Sequence, residues 1–157
     1  MRLHKLKKLL TVMPAALLLG ACEPHVLYHA YRPLPKAEWG RTDTLRFEAV
    51  LPDPTATFHL SVELRHRTAF PYRTLPVRFT LAVPGRLPVC DTLQIPVADA
   101  EGNWFGLGWG DLRVSTSPAV DLPPGIGDTC RICLTSALPD SLLPGVNDVG
   151  VKIADGE

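Results

Sequence analysis

Hydrophobic and polar residues alternate over much of the chain between residues 44 and 153. The clearest example is the segment 57–67, where Phe, Leu, Val and Leu at even positions alternate with His, Ser, Glu and Arg at odd positions. A period of two residues is typical of a half-buried antiparallel strand. The same pattern predicts further strands in the segments 44–50, 77–83, 91–97, 129–135 and 146–153.

Turn-forming residues separate these segments. The chain contains 16 prolines and 12 glycines, which favour many turns and disfavour long helices. We expect a hairpin turn at 99–104, a loop at 121–128 and one helical turn at 139–143. No segment has the pattern of a long amphipathic helix. The sequence therefore predicts an all-β protein, a single antiparallel β-sandwich domain over residues 41–157.

The amino terminus has the pattern of a lipoprotein signal peptide. Basic residues at positions 2, 5, 7 and 8 precede a mostly apolar segment, 9–20, which leads into the motif Leu-Gly-Ala-Cys at 19–22. This segment is shorter than the roughly 20 apolar residues that span a bilayer, but it fits a secretory signal. We therefore predict a signal peptide at 1–21, lipidation of Cys22, and an extended tether at 22–40.

The charge balance changes once the signal is removed. Without its four basic residues, the mature chain has 12 Lys and Arg against 16 Asp and Glu. An excess of negative charge argues against a nucleic-acid partner, which requires a basic surface. Attachment to the membrane is then expected through the lipid rather than through surface charge.

Three cysteines, Cys90, Cys130 and Cys133, follow the lipidated one. Cys130 and Cys133 have CxxC spacing, but they lie in a predicted strand, where residues three apart point to opposite faces. That geometry suits neither a zinc site nor a redox turn. The residues favour unpaired thiols, with a disulfide from Cys90 to one of the other two as the alternative, and no metal or cofactor besides the lipid.

The sequence favours a protein that is not an enzyme. It contains none of the common nucleophile, phosphate-loop, dinucleotide or zinc-protease motifs. His59 and His66 are expected on opposite faces of one strand, exposed to solvent. Carboxylates at positions 53, 99, 111 and 128 would suit a glycoside hydrolase only as a facing pair, and each lies in a predicted turn.

Aromatic residues provide a candidate ligand site. Trp104 and Trp109 flank a glycine-rich stretch, and their rings would stack on sugars if exposed, with Trp39 and Tyr72 nearby. The alternative is that these rings fill the core and its rim. A glycan-binding surface lipoprotein is therefore kept as a second hypothesis.

The order of several short motifs resembles a known family. After the lipobox come Tyr28 and Trp39, and then Arg-His at 65–66, Phe-Pro-Tyr-Arg-Thr-Leu at 70–75, Gly-Asn-Trp-Phe-Gly at 102–106 and Leu-Pro-Gly-Val-Asn-Asp-Val-Gly at 143–150. Together they resemble the gliding-motility lipoprotein GldH family of the Bacteroidota over nearly the whole mature chain. The match is loosest at positions 70, 74 and 76, where the family tends to have Tyr, Asn and an aromatic residue.

The resemblance implies an outer-membrane lipoprotein without known catalysis, associated with gliding motility and type IX secretion. We expect envelope proteins of that apparatus as partners, and the face of the membrane stays open. Arg65, His66, Phe70 and Tyr72 flank a proline-containing turn, so they are candidates for contact with a partner. A purely structural corner is the alternative for these four residues.

Overall fold

The computed structural model describes residues 25–156, and the predicted signal peptide and Cys22 lie outside this range. The regular secondary structure of the described chain is almost entirely strand, with one 3-10 turn at Pro35–Ala37. The strands are β1 (Val26–Pro33), β2 (Glu38–Gly40), β3 (Leu45–Val50), β4 (Phe58–Arg67), β5 (Thr74–Ala82), β6 (Val89–Pro96), β7 (Leu107–Trp109), β8 (Leu112–Thr116), β9 (Val120–Asp121), β10 (Thr129–Ser136), β11 (Leu142–Pro144) and β12 (Val146–Asp155).

The strands form two antiparallel sheets and one short ladder. The larger sheet has the order β1-β12-β4-β8-β7, and β9 also pairs with β4. The smaller sheet has the order β3-β10-β5-β6, and β11 pairs with β2. A single hydrophobic core takes side chains from both sheets, for example Leu60 of β4, Val151 of β12 and Ile132 of β10. The predicted all-β sandwich is therefore confirmed.

All six segments with strict alternation form strands. In β4 the even-numbered side chains from Phe58 to Leu64 are buried, as a half-buried strand requires. The prediction of a helical turn at 139–143 is wrong. This segment is instead irregular chain that leads into β11. Leu143 of β11 lies opposite Trp39 of β2, and both are fully buried. This apolar contact holds the segment as a strand.

The predicted tether at 22–40 is also corrected, because most of its described part belongs to the domain. β1 pairs with β12 from Val26 to Pro33, and β2 buries Trp39. β1 lies at the edge of the sheet, and side chains on both of its faces are partly exposed. It therefore lacks the alternation by which the other strands were predicted.

Strand register defines two ends of the sandwich. Val26 pairs with Ala154, and Ala154 pairs with His59, so β1 begins at the end where β4 begins, here named the Phe58 end. Arg67 pairs with Leu112, so the β7–β8 hairpin lies at the opposite end, the Arg67 end. β4 has ten residues and separates these ends by about 30 Å.

Two tryptophans should differ sharply in their importance for stability. Trp39 is 0% exposed and Trp109 is 93% exposed. Trp39→Ala should lower the free energy of unfolding by about 3–5 kcal/mol because it leaves a cavity. Trp109→Ala should change it by less than about 0.5 kcal/mol. Chemical denaturation of the two variants measures both values, and similar values would contradict the burial assigned to these rings.

Candidate functional site

The larger sheet has an outer face, the surface turned away from the smaller sheet. Because the even-numbered residues of β4 point into the core, Glu63, Arg65 and Arg67 lie on this outer face. Directly paired residues of antiparallel strands share a face. Arg65 pairs with Val114, which pairs with Leu107, while Arg67 pairs with Leu112, which pairs with Trp109. The sheet thus places Arg65 and Trp109 on one surface.

A polar network lies on the same face, towards β1. The carboxylate of Glu63 accepts hydrogen bonds from the Tyr31 hydroxyl and from Nε2 of His29, the latter at 2.9 Å. The guanidinium carbon of Arg65 lies 3.6 Å from the centre of the Tyr31 ring, which is a cation–π contact. The four side chains therefore hold one another in place across three strands.

Gly150 makes this network possible. It lies in β12 between Tyr31 of β1 and Glu63 of β4, and pairs with both. A Cβ atom on Gly150 would lie 2.7 Å from Cδ1 of Tyr31. The absence of a side chain at position 150 lets the tyrosine ring cross the middle strand and reach the carboxylate.

The protonation states of Tyr31 and Glu63 are fixed at neutral pH. Burial, the hydrogen bond to Glu63 and the charge of that carboxylate raise the pKa of Tyr31 to about 12. Burial would raise the pKa of Glu63, but hydrogen bonds from Tyr31 and His29, with the charges of His29 and Lys152, lower it below its ordinary value. Tyr31 is thus a stable donor and Glu63 a stable acceptor. Neither group exchanges its proton near pH 7, so the Tyr31–Glu63 hydrogen bond orders the surface.

The other half of the outer face is apolar and exposed. Leu107 is 88% exposed and Trp109 is 93% exposed, and Phe105 beside them is also exposed. In β7 the side chains alternate with glycine, and a Cβ atom on Gly108 would overlap the carbonyl oxygen of Leu112. An open groove of about 450 Å³ runs along this hairpin, lined by Pro96, Phe105, Gly106, Leu107, Val114, Ser115 and Thr116.

We name the Arg65–Trp109 surface after its two outermost residues. It consists of Arg65, Leu107, Trp109, Leu112 and Val114. Leu112 and Val114 are partly exposed and continue the apolar area between the hairpin tip and Arg65. The surface combines exposed aliphatic and aromatic side chains with a guanidinium that the network holds in position.

The structure corrects two of the residues proposed for partner contact. His66 is fully buried, since it continues the inward register of β4, and it bonds to the Arg67 carbonyl (3.0 Å) and to Ser115 Oγ (3.1 Å). Phe70 is also buried and packs 5.6 Å from the His66 ring. Neither residue is placed for contact with a partner. The expectation of a solvent-exposed His66 is wrong for the same reason.

Other predicted site residues have different positions. Arg65 lies on the outer face, and Tyr72 is half-buried against the edge of the Phe70 ring. Trp104 is half-buried and its ring packs at a tilt against His66, with the ring centres 5.3 Å apart, so it mainly completes the core. Trp39 is buried and donates from Nε1 to the Asp43 carbonyl oxygen, so it cannot join a stacking surface.

The pattern of residues along the chain does not reveal the Tyr31–Glu63 network. His29 and Tyr31 fall in the predicted tether, and no motif marks Glu63 or Gly150 as members of a site. The partners are separated by more than 30 residues along the chain and meet only because β1 and β4 flank β12. The alternation in β4 does place Glu63 on the outer face, and this was the one local signal present.

All three described cysteines are free thiols. Cys130 is buried and Cys133 is partly exposed, which confirms that their side chains point to opposite faces. Cys133 and Cys90 lie on either side of Thr80, two strand spacings or about 10 Å apart, too far for a disulfide. Within residues 25–156 we find no cluster of three metal-ligating side chains.

None of the described residues belongs to a helix with the length and hydropathy needed to cross a membrane.

Comparison with known proteins gives a consistent result. The model of the GldH lipoprotein family matches residues 26–153. The gliding motility lipoprotein GldH of Flavobacterium johnsoniae is 27% identical over 101 residues, 64% of this chain and 63% of that protein. A GldH homolog of Christiangramia forsetii is 25% identical over 99 residues, 63% of this chain and 60% of that protein. The alignments thus span about three fifths of these relatives.

A solved structure, that of Eiger TNF from S. frugiperda, aligns with 86% of this chain and 96% of its own chain. The TM-score is 0.35 and the sequence identity 12%, which is too distant to support any conclusion.

The fold and the outer face define a small β-sandwich domain that presents an open sheet surface to its surroundings. The chain belongs to the GldH lipoprotein family, which matches it from β1 to β12. The family is one of lipoproteins. The relatives are named as motility lipoproteins and not as enzymes.

Substitution of Gly150 tests the geometry of the network. Gly150→Ala should displace the Tyr31 ring from Glu63 and lower the free energy of unfolding by about 1–3 kcal/mol, since a partly buried carboxylate loses a donor. In a Tyr31→Ala background the same change should cost almost nothing, because the ring is already absent. A double-mutant cycle by chemical denaturation measures this coupling. Equal costs in the two backgrounds would show that Gly150 does not serve Tyr31.

Buried His66 should make stability depend on pH. Burial lowers the pKa of His66 below the ordinary 6.5, and the charge of Arg113 lowers it further. The hydrogen bond to the Arg67 carbonyl opposes this shift without cancelling it. The unfolded chain therefore binds the proton more readily, so the free energy of unfolding should fall as the pH drops from 7 through 6.5 and below. His66→Gln should show a shallower decline in denaturation series between pH 7 and 5.5. Exposed His25→Gln is the control, and a slope unchanged in His66→Gln would exclude this role.

Proposed function

We propose that this protein is a non-catalytic adaptor of the gliding-motility or type IX secretion-associated machinery, held at the outer membrane by lipid on Cys22. In this proposal the Arg65–Trp109 surface binds a protein component of that machinery. The family membership supports the motility context. The lipobox that ends at Cys22 supports the lipid attachment.

One observation above all supports protein binding: Leu107 and Trp109 are about nine-tenths exposed on a paired strand. Large apolar side chains this exposed cost solvation free energy unless a partner covers them, and such patches mark interaction sites. Trp and Arg are also the residue types that dominate binding energy at protein interfaces. A surface with Trp109, Leu107 and Arg65 is thus suited to a folded or extended protein partner.

The position of Arg65 suits recognition as well as affinity. Its guanidinium is stacked on the Tyr31 ring, and Tyr31 is bonded to Glu63. A side chain already ordered in the free protein loses less conformational entropy on binding. Arg65 therefore offers a preorganised donor for a carboxylate or carbonyl of the partner, beside the apolar contact.

Glycan binding is the second candidate function, and it is favoured by the flat, exposed ring of Trp109. Of the aromatic residues considered for it, Trp39 and Trp104 are buried or half-buried, which leaves Trp109 as the exposed tryptophan. Phe105 is the other exposed ring in this region, but Leu107 lies between the two rings in sequence, so they do not form a continuous aromatic platform for a sugar. We therefore place protein binding first.

Photo-crosslinking from position 107 tests the adaptor function. A photoreactive amino acid replacing Leu107 in the full-length, lipidated protein should crosslink in cells to a discrete motility or secretion component. The same amino acid replacing Leu142, which is exposed at the same end but on β11, should not give this product. Adding Trp109→Ser to the Leu107 photo-variant should strongly reduce the product.

The controls separate the alternatives. Cys22→Ala should abolish both membrane attachment and the crosslink. The double variant Leu107→Ser with Trp109→Ser should impair gliding or secretion, and the control Leu142→Ser should leave both unchanged. Normal function of the double variant would contradict the adaptor role of this surface. A different result would favour glycan binding over the adaptor function. In that case no protein is crosslinked, and oligosaccharides shift the tryptophan fluorescence of the wild type but not that of Trp109→Ala.

A further inference from the structure

We propose that the Phe58 end of the sandwich rests on the lipid surface through Val26, Val50 and Leu87, so that the Arg65–Trp109 surface projects away from the bilayer. This inference rests on the lipidation of Cys22 in the proposed function. It adds a second interaction surface, whose partner is the lipid bilayer itself. It also adds a defined orientation of the domain.

The short distance along the chain from Cys22 to β1 carries the first step. β1 begins at Val26, four residues after Cys22. Four residues span at most about 14 Å when fully extended. Since Val26 lies at the Phe58 end, the lipid holds this end, and not the Arg67 end, close to the bilayer.

Exposed apolar side chains are present at the same end. Leu87 is 90% exposed, Val50 is 65% exposed, and Val26 is also exposed. Hydrogen bonds between the loops show that both sheets end here: Leu51, next to Val50, donates to the Asp128 carbonyl, and Leu122 donates to the Phe58 carbonyl. We name these three residues the anchor-end rim.

Arg86 holds Leu87 in position. Its guanidinium donates to the carbonyl oxygens of Pro124 (2.7 Å) and Gly125 (3.0 Å), which joins the β5–β6 turn to the loop that follows β9. Gly125 has a positive φ of 78°, and a Cβ atom there would lie 2.7 Å from the guanidinium of Arg86. The joined loops present Leu87 as a fixed apolar projection.

The charges at this end indicate the kind of lipid contact. Asp53 lies in the loop between β3 and β4, Asp128 precedes β10, and Asp155 ends β12. Arg86, the cation beside Leu87, is already bonded to two carbonyl groups. These carboxylates disfavour anionic headgroups, so the apolar side chains of the rim suit the interface of a zwitterionic membrane.

The tryptophans give a direct readout of orientation, because all three lie towards the Arg67 end. Trp109 is in the β7–β8 hairpin, Trp104 packs against His66, and Trp39 is in the ladder formed with β11 just before β12 begins. The lipidated full-length protein is reconstituted into phosphatidylethanolamine–phosphatidylcholine vesicles whose acyl chains carry bromine, a contact quencher. The native tryptophan fluorescence should equal that in unbrominated vesicles.

A tryptophan introduced at the anchor-end rim should behave differently. Leu87→Trp should add fluorescence that brominated lipids quench, whereas the matched variant Leu142→Trp, at the Arg67 end, should add fluorescence that they do not quench. Val50→Trp is a second reporter at the rim with the same expectation. Quenching of the native tryptophans, or absence of quenching in both rim variants, would overturn the proposed orientation.

Flotation of the vesicles separates this inference from the proposed function. Wild-type protein should float with the vesicles and Cys22→Ala should not. If the wild type does not float, the lipid attachment fails and the seating on the bilayer fails with it. If it floats but the rim variants are unquenched, the attachment stands and only the orientation is wrong.

Discussion

The register of β12 between β1 and β4 is the constraint on which the rest of the structure depends. Because side chains alternate between faces, a slip of one residue would move every core residue of β12 to solvent. The same register places Gly150 directly between Tyr31 and Glu63. One set of backbone pairings thus determines the core, the polar network and the position of Arg65 together.

The outer face divides into two halves with different physical roles. The half near β1 is ordered by hydrogen bonds and a cation–π contact, and its carboxylate is satisfied within the domain. The half near β7 has exposed apolar side chains that nothing in the described domain covers. The first half fixes geometry, and the second offers binding free energy from desolvation. Arg65 lies at their boundary and belongs to both.

The sequence predicts those strands that bury only one face against the core. Strand β4 and the others with clean alternation lie with one face on the core, and this produces a period of two. β1 does not show this period because it is an edge strand exposed on both faces, so its sequence predicts a tether. The candidate site was predicted less well. Arg65 and Trp109 are among the predicted site residues and do lie on the outer face, but the alternation in β4 that points even-numbered residues inward also buries His66, which was expected to be exposed. The network around Glu63 depends on pairing between distant strands, which a local pattern does not report.

The short span between Cys22 and the first strand also limits how far the protein can act. An anchored protein with a long flexible linker samples a wide volume around its lipid, whereas four residues add at most about 14 Å to a domain roughly 30 Å long. With the lipid on Cys22, the Arg65–Trp109 surface would sweep a shallow layer within a few nanometres of the bilayer. A partner anchored elsewhere in the envelope has to extend into that layer, so the meeting place is set by the geometry of this chain.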